Sequence, residues 1–191
     1  MAPMEHVTPA REATAELEAK GSRFLAVLVP VARFEDRLAE IRRDHRKASH
    51  HVTATRRMAE TDAPLDHASD DGEPAGTSGM PVLKTLMGAG IVDAGVIVTR
   101  YFGGTKLGTG GLARAYSGAA TLAIEGATLV PWHRIVTRVV KAGFADASAL
   151  EQRTESLGLR VIERTFTEDG VTLVVRGPEA QVAQAPLPEY G

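Results

Sequence analysis

The segment 94–125 constrains this chain most. An almost unbroken apolar run, AGVIVTRYF, is joined to an alanine-rich run, LARAYSGAATLAIE, through nine residues of which five are glycine: Gly103, Gly104, Gly108, Gly110 and Gly111. An apolar run of that length reads as a buried strand. The second run puts Leu112, Tyr116, Ala119 and Ala123 on one helical face, and its alanines let the helix approach a sheet closely. Arg100, Lys106 and Arg114 lie along the segment, with no acid between Thr99 and Tyr116. A strand, a glycine loop and a helix therefore carry three cations that need a counter-anion.

The remaining pattern is mixed. Ala13, Ala15 and Leu17 alternate with polar residues before AKGS and the run RFLAVLV, which reads as a hairpin. Phe34, Leu38, Ile41 and His45 recur at helical spacing, predicting an amphipathic helix that ends near Lys47. HHVTATRR alternates as a strand, and Met58 to Ser69 reads as a loop. SDDGEPAGTSGMPVL is punctuated by Gly and Pro; it predicts an ordered loop opening a short helix, capped by Ser78 or Gly79, with Pro81 in the first turn. Pro131 marks a boundary. A strand (135–140), a helix (145–157), a strand (159–166), an Asp169–Gly170 turn and a strand (171–176) follow. That order is the front of a ferredoxin-like unit, with 15 residues after Arg176 for a closing helix and strand. The expected class is α/β (α+β), in two domains, 1–130 and 131–191, the second incomplete at its end.

At 191 residues and 43% hydrophobic the chain can bury a core. No apolar run approaches the ~20 residues of a membrane span, and MAPMEHVTPARE has no apolar secretory region. A cytoplasmic protein without membrane association is expected. The absence of cysteine excludes disulfides, thiol catalysis and cysteine-ligated metals. A net charge of −2 is not that of a globally basic nucleic-acid binder, but the charge is segregated. Six cations, Arg42, Arg43, Arg46, Lys47, Arg56 and Arg57, face one acid between 42 and 57, whereas 62–73 holds five acids and no Lys or Arg.

The glycine loop invites a nucleotide reading, which the details weaken. Gly103 and Gly108 have Walker spacing, but Thr109 and Gly110 follow in place of Lys and Ser/Thr. Gly108-Thr-Gly-Gly-Leu-Ala113 fits G-x-G-x-x-A only in spacing, because the loop is long and Glu125 lies within the helix. Two readings stay open. Loop amides, a helix N-terminus, Arg100, Lys106 and Arg114 bind a phosphate, or these cations pair with Asp70, Asp71 and Glu73 and the loop is scaffold. The acidic loop lacks the EF-hand pattern and suits capping and Arg pairing better than a cation. His50 and His51 point to opposite faces of a regular strand, so no metal site, no cofactor and no catalytic residue is expected. The basic run is the best RNA-binding candidate.

Together, Lys20-Gly-Ser-Arg-Phe24, Ala48-Ser-His-His51, Ser69-Asp-Asp-Gly-Glu-Pro-Ala-Gly-Thr77, Gly79-Met-Pro81, Val98-Thr-Arg-Tyr-Phe-Gly-Gly-Thr-Lys-Leu-Gly-Thr-Gly-Gly-Leu112 and Arg114-Ala-Tyr116 resemble the IMPACT/YigZ family. The resemblance implies an N-terminal domain like the second domain of ribosomal small-subunit protein five. It also implies a ferredoxin-like C-terminal domain like domain five of elongation factor G. It implies a role in translational control, with RNA, the ribosome or a translation factor as partner. An enzyme binding phosphate or nucleotide through Gly103–Gly111 is the alternative, since the same N-terminal fold houses small-molecule kinases.

Overall fold

The computed structural model describes residues 6–186, and the chain divides into two units after Trp132. The first contains β1 (Val7–Pro9), β2 (Ala13–Ala19), β3 (Ser22–Pro30), α1 (Phe34–Asp44), β4 (His50–Met58), β5 (Pro64–Ser69), α2 (Gly79–Gly88), β6 (Ala94–Tyr101), α3 (Thr109–Glu125) and β7 (Leu129–Pro131). Five strands form an antiparallel sheet in the order β2-β3-β6-β4-β5, and β1 pairs with β7. The central position of β6 explains its unbroken apolar character. Val96 and Val98 face one way, into a core with Val52, Ala54, Leu86 of α2 and Tyr116 of α3. Ile97 faces the other way, against Val27, Val29 and Phe34, Leu38 and Ile41 of α1. Ala115, Ala119, Ala120 and Ala123 are buried, so small side chains bring α3 close to the sheet.

The structure departs from the periodicity in several places. The helix from Phe34 stops at Asp44 rather than Lys47, and the helix after the glycine loop begins at Thr109, within the glycines. Residues 64–69, expected as loop, form the edge strand β5. An edge strand is held by its backbone ladder more than by side-chain burial. Leu65 is exposed and Asp66 spends its carboxylate on Arg56, so the usual alternation is absent.

The second unit contains β8 (Ile135–Gly143), α4 (Ala147–Ser156), β9 (Arg160–Thr167), β10 (Gly170–Pro178) and α5 (Glu179–Val182). Its antiparallel sheet has the order β8-β10-β9, the third strand lying between the first two as in a ferredoxin-like unit. Val140, Leu150, Leu173, Val175 and Val182 make its core. Among the described residues the closing helix is the four-residue α5 and no fourth strand pairs with β8; the expectation of an incomplete end falls on residues 187–191, which lie outside them.

Candidate nucleic-acid interface

The three acids of the SDDGEP loop are spent on three structural tasks. Asp70 accepts hydrogen bonds from the backbone N–H groups of Gly76 (2.7 Å), Ser78 (3.0 Å) and Gly79 (2.8 Å). It thereby satisfies the start of α2, where Ser78 stands at the N-cap without a capping bond of its own. The cap expected of Ser78 or Gly79 comes from a residue eight positions earlier. Burial works against the Asp70 charge, but the three amides outweigh it and hold its pKa below the ordinary carboxylate value. Asp71 accepts from the His51 amide at 2.6 Å and lies 3.5 Å from Arg42. Its carbonyl meets His50 Nδ1 at 2.7 Å, which assigns a proton to that nitrogen.

Glu73 is the centre of a buried network. Its Oε1 accepts from Arg100 at 2.6 Å and from the Tyr116 hydroxyl at 2.7 Å, with side chains of Glu73 and Arg100 only 4% and 6% exposed. Burial, then the Glu73 contact, push the Tyr116 phenol well above its ordinary pKa. The Arg100 guanidinium lies over the rings of both Phe24 (5.6 Å) and Phe102 (5.4 Å) and also reaches Ser22 Oγ at 3.4 Å. The counter-anion of Arg100 is therefore Glu73.

Lys106 and Arg114 are in a different situation. Both are exposed and have no acidic partner among the described residues. They do not converge. Lys106 lines a cleft of about 350 Å³ with Glu73, Pro74, Arg100, Phe102 and Leu112, whereas Arg114 lines one of about 250 Å³ with Leu17, Lys20 and Gly111. Leu107 borders both. The glycines have distinct reasons. At Gly103 the loop crosses the β2–β3 turn so closely that a Cβ would sit 1.9 Å from the Gly21 carbonyl carbon. Gly108, at the N-cap of α3, has φ +73° and offers no side-chain cap to the helix amides. Gly104 and Gly110 are exposed, and Gly111 packs against Leu107.

Strand register divides the basic run. β4 pairs with β6 so that His50 is opposite Arg100 and Arg56 opposite Ala94. Arg42, Arg43, Arg46 and Lys47 thus lead into the end of β4 beside the glycine loop, tied there by Ser49 N–H to the Arg100 carbonyl and Phe102 N–H to Ser49 Oγ. Arg56 and Arg57 lie at the opposite end, six or seven residues on, roughly 20 Å at strand rise. Arg56 is buried and paired with Asp66 at 3.1 Å. Of the nearer four, Arg42 and Arg43 are paired with Asp71 and Asp44. Among the described residues Arg46 bonds only the Arg43 carbonyl, and Lys47 has no partner. Lys20 and Phe102 join this end of the sheet although composition did not single them out. Lys20 sits at the turn that contacts Gly103, and Phe102 is 52% exposed. Only the antiparallel register, which sets Arg23 opposite Tyr101, places them there. Toward this end of the sheet lie Lys20, Arg46, Lys47, Lys106 and Arg114, without acidic partners among the described residues, and the exposed ring of Phe102.

Among the described residues no helix is long and apolar enough to cross a membrane, and no group of three or more His, Asp or Glu is placed to hold a metal ion. Residues 20–124 match the Impact N-terminal domain. The Escherichia coli IMPACT family member YigZ is 34% identical over 92% of this chain and 87% of its own length. A Thermus thermophilus IMPACT family member is 36% identical over 82% of this chain and 84% of its own. A solved structure described as a hypothetical protein superposes with a TM-score of 0.73 at 33% identity, covering 95% of this chain and 90% of that one. The two-domain translational regulator Yih1 is 26% identical over 66% of this chain and 47% of its own, with a TM-score of 0.37, too low to compare the folds.

Proposed function

The chain belongs to the IMPACT family, and from that membership we propose that it is a translation-associated regulatory protein that binds RNA through the glycine-loop end of its first sheet. The observation that carries the reading is the set of cations toward that end that have no acidic partner among the described residues. The acids that would neutralise them are consumed elsewhere: Asp70 by the α2 amides, Asp71 by His51 and Arg42, and Glu73 by Arg100 and Tyr116. Exposed unpaired cations on one surface attract a phosphate backbone with a salt-dependent affinity. The pairing of Arg100 with Glu73, and the separation of Lys106 from Arg114 by Leu107, favour a surface that follows a polyanion over a pocket that encloses a triphosphate.

The test is RNA binding by fluorescence anisotropy between 50 and 200 mM salt. Affinity falls with salt, and the double variant Arg46→Glu/Lys106→Glu binds at least tenfold more weakly. Arg57→Glu, at the far end of β4, changes affinity less than twofold. Absence of binding at 50 mM salt, or an equal loss in Arg57→Glu, refutes the proposal.

A further inference from the structure

We propose that the cleft beside Phe102 receives one unstacked nucleotide of a single-stranded RNA, its base against the Phe102 ring and its phosphate at Lys106. This rests on the RNA reading and narrows it to a substrate class. Three observations support it. Phe102 is an aromatic ring more than half exposed, at the mouth of a cleft of about 350 Å³ whose other walls include Pro74, Leu107 and Leu112. The Arg100 guanidinium, held by Glu73 at 2.6 Å, lies 5.4 Å from the centroid of that ring. The cleft also carries Lys106, a cation with no partner among the described residues.

An aromatic platform between apolar walls suits the flat face of a base, and Lys106, without a partner among the described residues, suits the phosphate. Base stacking on aromatic side chains tolerates any base, so the site selects for strand state rather than sequence. In a duplex the bases are stacked on one another and none reaches a side-chain platform. Glu73 also borders the cleft, but its charge is balanced by Arg100, so it does not repel the incoming phosphate as a free carboxylate would.

The experiment compares fluorescently labelled oligo(U) with an RNA duplex of equal length. The native protein binds oligo(U) at least tenfold more tightly. Phe102→Ala weakens oligo(U) binding by about 5- to 100-fold, the range of losing one stacked base, and leaves duplex binding unchanged. Phe102→Trp retains the preference, which separates stacking from a folding defect. Lys106→Ala lowers the slope of log affinity against log salt by about 0.7, the single-strand value per phosphate contact. Equal affinity for both RNAs, or a Phe102→Ala loss shared equally by the duplex, overturns the nucleotide cleft while leaving the RNA surface standing. If neither RNA binds, both proposals fall.

Discussion

Removing the Arg100 guanidinium should unfold the first unit far more easily than removing the whole ion pair. Arg100 and Glu73 meet at 2.6 Å with almost no exposure. In Arg100→Met the thioether chain refills much of the space between Phe24 and Phe102, so little of the loss comes from a cavity. What remains is a buried carboxylate whose nearest other partner is the Tyr116 hydroxyl, since His50 Nε2 lies 3.8 Å away. Stranding one member of a buried pair costs about 3–5 kcal/mol. For a unit of this size that is about 10–20 °C in Tm. Replacing Glu73 as well, in Arg100→Met/Glu73→Leu, removes the stranded charge but orphans the Tyr116 hydroxyl, at about 1–3 kcal/mol. The triple variant with Tyr116→Phe removes the buried charge and hydroxyl that the other variants strand, and it should return to within about 2 kcal/mol of the native chain. Urea unfolding followed by Trp132 fluorescence measures this directly. Trp132 is the sole tryptophan, and its indole N–H donates to Asp93 of the first unit at 2.6 Å, so its signal reports that unit. An Arg100→Met cost below about 1 kcal/mol, or a triple variant as unstable as the summed single variants, would refute the argument.

Two further perturbations probe the loops. Asp70→Ala frees the Gly76, Ser78 and Gly79 amides and should lower stability by about 1–2 kcal/mol. The folded pKa of Asp70 lies below its unfolded value, so its stabilisation is present at neutral pH and lost as the pH falls through that folded value. The urea midpoints of native and Asp70→Asn proteins should therefore converge in acid, and a gap that widens in acid contradicts the cap. Gly103→Ala drives a Cβ to 1.9 Å of Gly21 and should cost about 1–3 kcal/mol. Gly110→Ala meets only the Arg114 guanidinium at 3.5 Å and should be neutral or stabilising by about 0.5–1 kcal/mol in thermal melts followed by circular dichroism.

Local pattern carried the core elements well. The run from Ala94 had to be buried, and the alanines after Leu112 had to pack closely; both are statements about neighbours a few residues apart. The site was less legible because its partners are distant in the chain. Pairing of the loop cations with the acidic loop was one of two open readings. The structure divides them: Arg100 takes Glu73, while Lys106 and Arg114 have no acidic partner among the described residues. Sequence proximity also misled. Arg42–Lys47 and Arg56–Arg57 look like one basic run, but an extended strand between them carries the second group to the far end of the sheet. Phe102 looked like the tail of a buried strand, although Tyr101 ends β6 and the next ring emerges at the surface.

The Glu73 network also bears on the order in which the unit assembles. Its bonds join Arg100 to Glu73 across 27 positions, Tyr116 to Glu73 across 43 and Arg100 to Ser22 across 78. Closing such loops costs chain entropy before any bond repays it, and both charges must leave water together. The network needs β3, β6, α3 and the acidic loop all in place, so it is expected to complete late on the folding route. Interactions absent from the transition state set the rate of opening rather than of closing. The network that flanks the glycine loop, through Arg100 before it and Tyr116 after it, is therefore expected to slow the escape of the first unit from its native state, so that Arg100→Met raises the unfolding rate more than it lowers the refolding rate.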